Sequence, residues 1–439
     1  MSPFTLCEGA FFFVPMDKLY ELFKKSSGIS TDTRAIKPGQ IFFALKGDNF
    51  NGNLYAQKAL DAGASYAVID EAGAAKDSKS ILVEDVLERL QKLANHHRKD
   101  LNIPILGITG SNGKTTTKEL LKAALSTQLK TFVTPGNFNN HIGVPLSLLQ
   151  IDDSCEVAAI ELGDNHQGEI DFLCRIAEPT FGYITNLGKD HIEGFGSYEN
   201  NVLSKKELFD YLESMDALCF VNDYDPELRK MGEELKVKKL MSEFCTETGL
   251  KLTGQDPFLN FEVQGKNYRS KLIGAYNLEN IQAALFICYH LNVDLAKAAI
   301  AIADYSPNNN RSEFKLTEKG NRVFLDAYNA NPSSMALAID SFLTTEKASE
   351  SVMILGDMLE LGDLSSDEHH EMVEKVETQG FEHIFLVGAE FSKSTTRTAK
   401  TFKNYSELNA QLSKLDLRER SILIKGSRGI RLENCLEEL

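Results

Sequence analysis

The segment Ile105-Leu106-Gly107-Ile108-Thr109-Gly110-Ser111-Asn112-Gly113-Lys114-Thr115-Thr116-Thr117 passes from an apolar run through a glycine-rich turn into a helix-forming stretch. Such a turn exposes successive backbone N–H groups, and the helix behind it adds the partial positive charge of its N-terminus, so a phosphate is the natural guest. Lys114 would reach the β and γ phosphates of a nucleotide, and the Thr115 hydroxyl would ligate Mg²⁺. Position 108 is Ile where the strict G-x-x-x-x-G-K-[ST] pattern has Gly, so the inference rests on Gly-Lys-Thr in its strand-loop-helix setting. An ordinary glycine-rich turn is the plain alternative. GTPase, motor, kinase and ligase chemistry stay open at this point, although the guanine signature N-K-x-D is missing: the nearest string, Asn186-Leu187-Gly188-Lys189-Asp190, has the wrong spacing.

Four other residues come into question for the same phosphate or its counter-ion. Glu161 follows the apolar run Val157-Ala158-Ala159-Ile160 and should emerge at the same sheet edge as the loop, where a carboxylate suits Mg²⁺; a solvated strand-end glutamate is the alternative. His191 follows a second apolar run, Phe181-Gly182-Tyr183-Ile184, and its turn, although lone histidines are more often structural. Lys205 and Lys206 lie in Ser204-Lys205-Lys206-Glu207-Leu208-Phe209, and from pattern alone they read as two lysines on a surface helix.

The elements that must hold these groups follow from periodicity. Residues 30–100 alternate short apolar runs (Ile41 to Leu45, Tyr66 to Ile69) with a helical stretch from Leu54 to Ala62, and a helix over Val86 to Asp100 leads out of them. From Ile105 strand, turn and helix repeat, which predicts a mostly parallel sheet with helices on its faces; a helix over Asn277 to Leu291 closes this part. Beyond Ser306-Pro307-Asn308-Asn309-Asn310 the apolar runs at 323–325, 352–355, 384–387 and 422–424 predict a Rossmann-like unit without G-x-G-x-x-G. The fold class is therefore α/β in three domains: a small N-terminal α/β domain over 1–100, a central phosphate-loop domain with a mostly parallel sheet over 101–309 and a C-terminal Rossmann-like domain over 310–439. A chain of 439 residues with 42% apolar and 25% charged residues can fill several cores. Its net charge of −16 argues against nucleic acid or an anionic membrane as a partner. Seven scattered cysteines without a C-x-x-C pair suit a reducing cytoplasm, and no apolar run is long enough for a membrane span. Met1 to Pro15 makes a poor signal peptide, and the expected first helix, Met16 to Lys25, makes Met16 an alternative start.

Together these strings resemble the Mur ligase family over nearly the whole chain. The first part carries Ser30-Thr31-Asp32-Thr33-Arg34, Pro38-Gly39 and Phe42-Phe43-Ala44-Leu45-Lys46-Gly47. Thr134 to Pro145, Glu161-Leu162-Gly163 with Gly168-Glu169-Ile170, Asp326-Ala327-Tyr328-Asn329-Ala330-Asn331-Pro332 and Leu355-Gly356-Asp357-Met358-Leu359-Glu360-Leu361-Gly362 are similar to the branch that adds D-alanyl-D-alanine to UDP-MurNAc-tripeptide. The D-N-P-R string of the amino-acid-adding branch is absent. The resemblance implies an ATP-dependent amide ligase of peptidoglycan synthesis that works through an acyl phosphate, as a cytoplasmic monomer with two Mg²⁺ ions. It assigns ATP to Gly110, Ser111, Asn112, Gly113, Lys114, Thr115, Thr116, Asn137, Asn277, Arg311, Asp326, Tyr328 and Asn329. Metal falls to Thr115, Glu161, His191 and Lys205, the last as a carbamate, and catalysis to Lys114, Glu161, His191, Lys205 and Arg311. The UDP substrate falls to Ser30, Thr31, Asp32, Thr33, Arg34, Lys46, Asn139, Asn140 and His141. One departure is Asn51-Gly52-Asn53 where many relatives read Asp-Gly-His. The Lys425-Gly426-Ser427-Arg428 string resembles the family without an implied role. The alternatives are an amino-acid-adding ligase, a folylpolyglutamate synthetase, or a nucleotide-binding regulatory module that lost its chemistry.

Overall fold

The computed structural model describes residues 14–76 and 78–439. The expectation for Met1 to Pro15 falls, up to residue 13, outside them. By their internal contacts the described residues form two compact units: those up to Gly107 with Lys130–Gly163 and Asp171–Thr180, and Ile108–Leu129 with Asp164–Ile170 and Phe181–Leu439.

In the first unit, strands Ile29–Ser30, Ile41–Phe43, Tyr66–Ile69 and Ser80–Leu82 make a parallel sheet in sequence order, Ile41 facing Tyr66 and Ala67 facing Ser80. The helices Met16–Lys25 and Val86–Asp100 stand where periodicity puts them. Asp85 starts the second by accepting the Glu88 N–H at 2.7 Å. The stretch from Leu54 differs, opening as a 3₁₀ turn, Gly52–Tyr55, before the helix Ala56–Asp61. Strand Thr131–Val133 pairs in parallel with Val157–Glu161, so Glu161 is the last residue of its strand.

In the second unit, helix Lys114–Leu125 follows the glycine turn, and strands Phe181–Ile184, Leu218–Val221 and Lys238–Leu240 pair in parallel. The helix Asn277–His290 is buried along most of its length, its apolar run Ala283 to Cys288 completely and the polar Asn277, Asn280 and Gln282 with it. Ahead of it lies an antiparallel sheet that the sequence analysis does not anticipate: Lys251–Gln255, Phe258–Val263 and Lys266–Ile273. Its signal is the strict in-out alternation of Phe258–Val263 before Gln264-Gly265, which both take positive φ as a two-residue hairpin turn requires.

The last sheet has the order Glu313–Leu316, Arg322–Asp326, Ser421–Lys425, Ser351–Gly356, His383–Val387, Lys400–Phe402, antiparallel only at the first pair. Alternate residues feed two cores. Met353, Leu355, Ile384, Leu386 and Leu423 pack with Met335, Ile339 and Phe342 on one face, and Val352, Ile354, Phe385, Ile422 and Ile424 with Leu408 and Leu412 on the other. Helices on both faces are why these strands read as continuous apolar runs.

Candidate active site

The strand Ile105–Thr109 delivers the chain to Gly110 at φ +129°, where a Cβ would lie 2.8 Å from the Thr185 nitrogen, and Gly113 at φ +83° lies against Asn280. Only glycine satisfies both the backbone angle and the close approach. The loop is pinned by its neighbour strand's exit: Ser111 N–H donates to Asn186 O at 2.9 Å, Asn112 N–H to Asn186 Oδ1 at 3.0 Å, and Thr185 Oγ1 to Asn112 O at 2.6 Å. Lys114 folds back onto the carbonyl of Gly110. A recess beside the helix start is lined by Thr115, Thr116, Leu272, Tyr305, Pro307, Asn309 and Arg311. Arg311 lies 3.8 Å from the Tyr328 ring centre, and its buried Nε has no hydrogen-bond partner.

A buried charge network adjoins the loop. Ser111 Oγ donates to Asp190 Oδ1, and Asn201 Nδ2 donates to the same oxygen at 2.8 Å. Lys205 is 0% exposed; its Nζ contacts both oxygens of Asp164, at 2.8 and 2.9 Å, and lies 3.8 Å from Asp190 Oδ2. Burial pushes the Asp190 carboxyl up, but the charges of Lys205, Lys114 and His191 outweigh it and hold the group below its usual range. The surface-helix expectation is thus corrected for Lys205. Asn201, Ser204, Lys205, Leu208, Phe209 and Leu212 form the buried stripe of helix Tyr198–Ser214, a spacing that was the available signal, while Lys206 lies outside it and pairs with Asp210. His191, at φ +51°, directs Nδ1 to Glu360.

A second network runs from the loop helix into the last sheet. Thr117 Oγ1 donates to Asn280 Oδ1 at 3.0 Å, Asn280 Nδ2 to Asn277 Oδ1 at 2.7 Å, and Asn277 Nδ2 to Ile273 O at 2.7 Å and Ser312 Oγ at 2.9 Å. Ser312 N–H reaches Asp326 Oδ1 at 3.3 Å, and Lys425 Nζ holds Asp326 Oδ2 at 2.7 Å and Asn329 O at 3.3 Å. Asn277 is 1% exposed with its amide fully engaged, so its place here is that of a tie. Asn331 Nδ2 also donates to Asn112 Oδ1 of the loop at 2.9 Å.

The first unit holds the remaining predicted residues. Glu161 is 2% exposed; its N–H donates to Thr134 Oγ1 at 2.9 Å and its Oε1 accepts from Asn139 Nδ2 at 3.0 Å. Asn140 Oδ1 accepts the N–H groups of Ile142 and Gly143, while Asn137 and His141 are exposed. Arg34 forks onto Asp32, and its side-chain bonds, with its backbone N–H, bring that carboxyl down to about 2. Ser30 Oγ donates to Asp32 O within the Ser30–Arg34 turn that carries Thr31 and Thr33. Lys46 pairs with Asp70 at 2.8 Å and Glu71 at 3.1 Å. Asn53, in the departing Asn51-Gly52-Asn53 string, is 3% exposed and donates to Asp70 Oδ1 at 2.8 Å, which makes it part of the scaffold under Lys46.

Residues 25–98 match the model of the Mur ligase family catalytic domain, residues 108–288 that of the Mur ligase middle domain, and residues 310–428 that of the Mur ligase glutamate ligase domain. The UDP-N-acetylmuramoyl-tripeptide–D-alanyl-D-alanine ligase of Bacillus subtilis is 32% identical, over 94% of this chain and 93% of its own. This chain belongs to the Mur ligase family. Two solved structures are similar over 95% of this Mur ligase and 97% of their own chains: MurF ligase from Thermotoga maritima in complex with ADP (TM-score 0.82, 26% identity) and MurF from Acinetobacter baumannii (TM-score 0.81, 28% identity).

The nucleotide and Mg²⁺ that Mur ligases imply can be tested against the side chains. The unpartnered Arg311 Nε beside Thr115 and Thr116 suits an anion, and Asp190 Oδ2, buried without a hydrogen-bond partner, is a hard oxygen donor of the kind Mg²⁺ prefers. Among the described residues no three of His, Cys, Asp and Glu converge. Mg²⁺ held here would complete its shell from phosphate and water, its usual habit. Asp164, Asp190, Asn280 and Lys425 were not predicted. Asp190 and Lys425 stood within strings already singled out, and Asp164 directly follows one, but nothing local reveals their partners.

Proposed function

We propose that this Mur ligase adds D-alanyl-D-alanine to UDP-MurNAc-tripeptide at the expense of ATP. A carboxylate oxygen of the tripeptide attacks the γ phosphorus, the bond to ADP breaks, and an acyl phosphate forms. The amine of D-alanyl-D-alanine then attacks the acyl carbon and loses a proton, and phosphate leaves as the amide closes. The observation that carries this reading is the recess that joins the phosphate-loop threonines to Arg311, whose Nε lacks a partner. Lys114 and Arg311 would offset the repulsion between two approaching anions, the main service a protein renders in phosphoryl transfer.

Bound Mg²⁺ supplies further charge neutralisation; Thr115, Glu161, His191 and a carbamate on Lys205 would hold two such ions. Carbamylation joins CO₂ to the uncharged Lys205 amine with loss of a proton, and it would set a new anion beside Asp164 and Asp190, an arrangement that needs a cation among them. Asp326, Tyr328 and Asn329 would line the nucleotide, with Lys425 bonded to Asp326 and to the Asn329 carbonyl, and residues 30–34, 46 and 139–141 would take the UDP end. Functional domains over 1–100, 101–309 and 310–439, a monomeric state and a cytoplasmic location complete the reading.

The test is a phosphate-release assay with UDP-MurNAc-tripeptide and ATP, offering D-alanyl-D-alanine against single amino acids. Release should depend on the dipeptide. Equal release with a single amino acid, or none with any amine, refutes the proposal.

A further inference from the structure

The string Leu355 to Gly362 is a motif that the functional reading leaves without a task, and its geometry is that of a rigid bracket. Asp357, 2% exposed, caps the Glu390 and Phe391 N–H groups at 2.8 and 2.9 Å, and its carbonyl accepts the Ser427 N–H at 3.2 Å. Met358 N–H donates to Nε2 of the fully buried His369 at 3.0 Å, and Leu359 N–H donates to Ser427 Oγ at 3.1 Å. Three consecutive residues are thus tied to buried partners.

At the tip of this bracket Glu360 takes φ +65°, a left-handed backbone that a residue with a Cβ seldom adopts. The residue it faces, His191, is also left-handed at φ +51°. Glu360 O accepts the Glu193 N–H at 3.2 Å, a Cβ on Gly362 would lie 3.3 Å from Glu193 Cα, and the Glu360 carboxylate meets His191 Nδ1. Two uncommon backbone conformations facing each other across one ion pair mark a contact that the surrounding structure enforces.

We propose that Glu360 is a positioning residue: the bracket presents its carboxylate to His191 Nδ1, which fixes the proton on that nitrogen and leaves Nε2 with a lone pair facing away from Glu360. A bare Nε2 is the form of histidine that ligates a divalent cation, and a carboxylate on the opposite nitrogen is the usual means of holding it so. The value of this arrangement to the reaction rests on the functional reading above; the arrangement itself does not.

The experiment uses the full chain, labelled with ¹⁵N-histidine and free of nucleotide, at about pH 8, above the usual histidine range. Long-range ¹H–¹⁵N spectra, with His191 identified by its loss in His191→Gln, should show a protonated Nδ1 and a bare Nε2. Glu360→Ala should move His191 toward the tautomer mixture of free imidazole, and kcat should fall by about 10- to 100-fold, the usual cost of losing such a partner. The same variant should keep its KM for ATP within about twofold, because the phosphate loop is untouched. Glu360→Gln, whose amide oxygen can accept the same N–H, should keep both the tautomer and most of kcat. A wild-type His191 with its proton on Nε2, or equal spectra and kcat in the Ala and Gln variants, overturns the proposal. Should Glu360→Ala fail to fold, the wild-type and Gln spectra still decide it. If the functional reading alone is wrong, phosphate release is absent in the wild type while the tautomer stands.

Discussion

Lys114 and Lys205 carry the same charge on the same side-chain length, yet their surroundings give them different tasks. Lys114 starts a helix, partly buried and resting on the carbonyl of its own loop, a contact a phosphate oxygen can replace. Lys114→Ala should therefore lower phosphate release by about 10²-fold or more, as deletions of groups that stabilise developing charge do. Near-normal turnover would remove Lys114 from the site. Lys205 is sealed between Asp164 and Asp190. Lys205→Ala strands two buried carboxylates and should cost about 3–5 kcal/mol in urea unfolding. The acid side follows from linkage: the Asp190 carboxyl is held below its usual range, so its contribution is full above about 3.9 and is lost as pH falls through the folded value. Without Lys205 that acid loss should shrink, and an unchanged acid slope of the unfolding free energy would show that the pairing does not matter. If the lysine works as a carbamate, short carboxylates should restore turnover to the alanine variant.

At the scale of elements, the glycine turn between strand Ile105–Thr109 and helix Lys114–Leu125 is the part with least tolerance. Gly113→Ala adds a Cβ against Asn280, whose side chain is held by Thr117 and Asn277 and so cannot step aside, and it forces a left-handed backbone on alanine. That conformation alone costs on the order of 1–3 kcal/mol, and displaced N–H groups should weaken ADP binding, which calorimetry reads directly. Unchanged ADP affinity in a folded Gly113→Ala protein would mean that the turn does not cradle phosphate.

Across the whole molecule the thiols belong to the cores. Five of the six described cysteines are buried, and burial pushes Cys219 and Cys435 up to about 12 and Cys245 up to about 11. With so little thiolate, alkylation near neutral pH should spare these three in the native protein and reach them on unfolding; rapid native labelling of any one would contradict the packing. The sequence by itself determined whatever depends on near neighbours. The helices Met16–Lys25 and Val86–Asp100, the strand Phe181–Ile184 and the glycine turn follow from periodicity, backbone preference and short spacing, which act over a few residues. Asp164 and Lys205, 41 residues apart, meet only because a strand exit and a helix face are packed together. Glu360 reaches His191 only from a bracket built by Asp357, His369 and Ser427. Tertiary structure alone decided those pairings, because the energy of a buried charge is set by whatever surrounds it in space, and chain order carries no record of that.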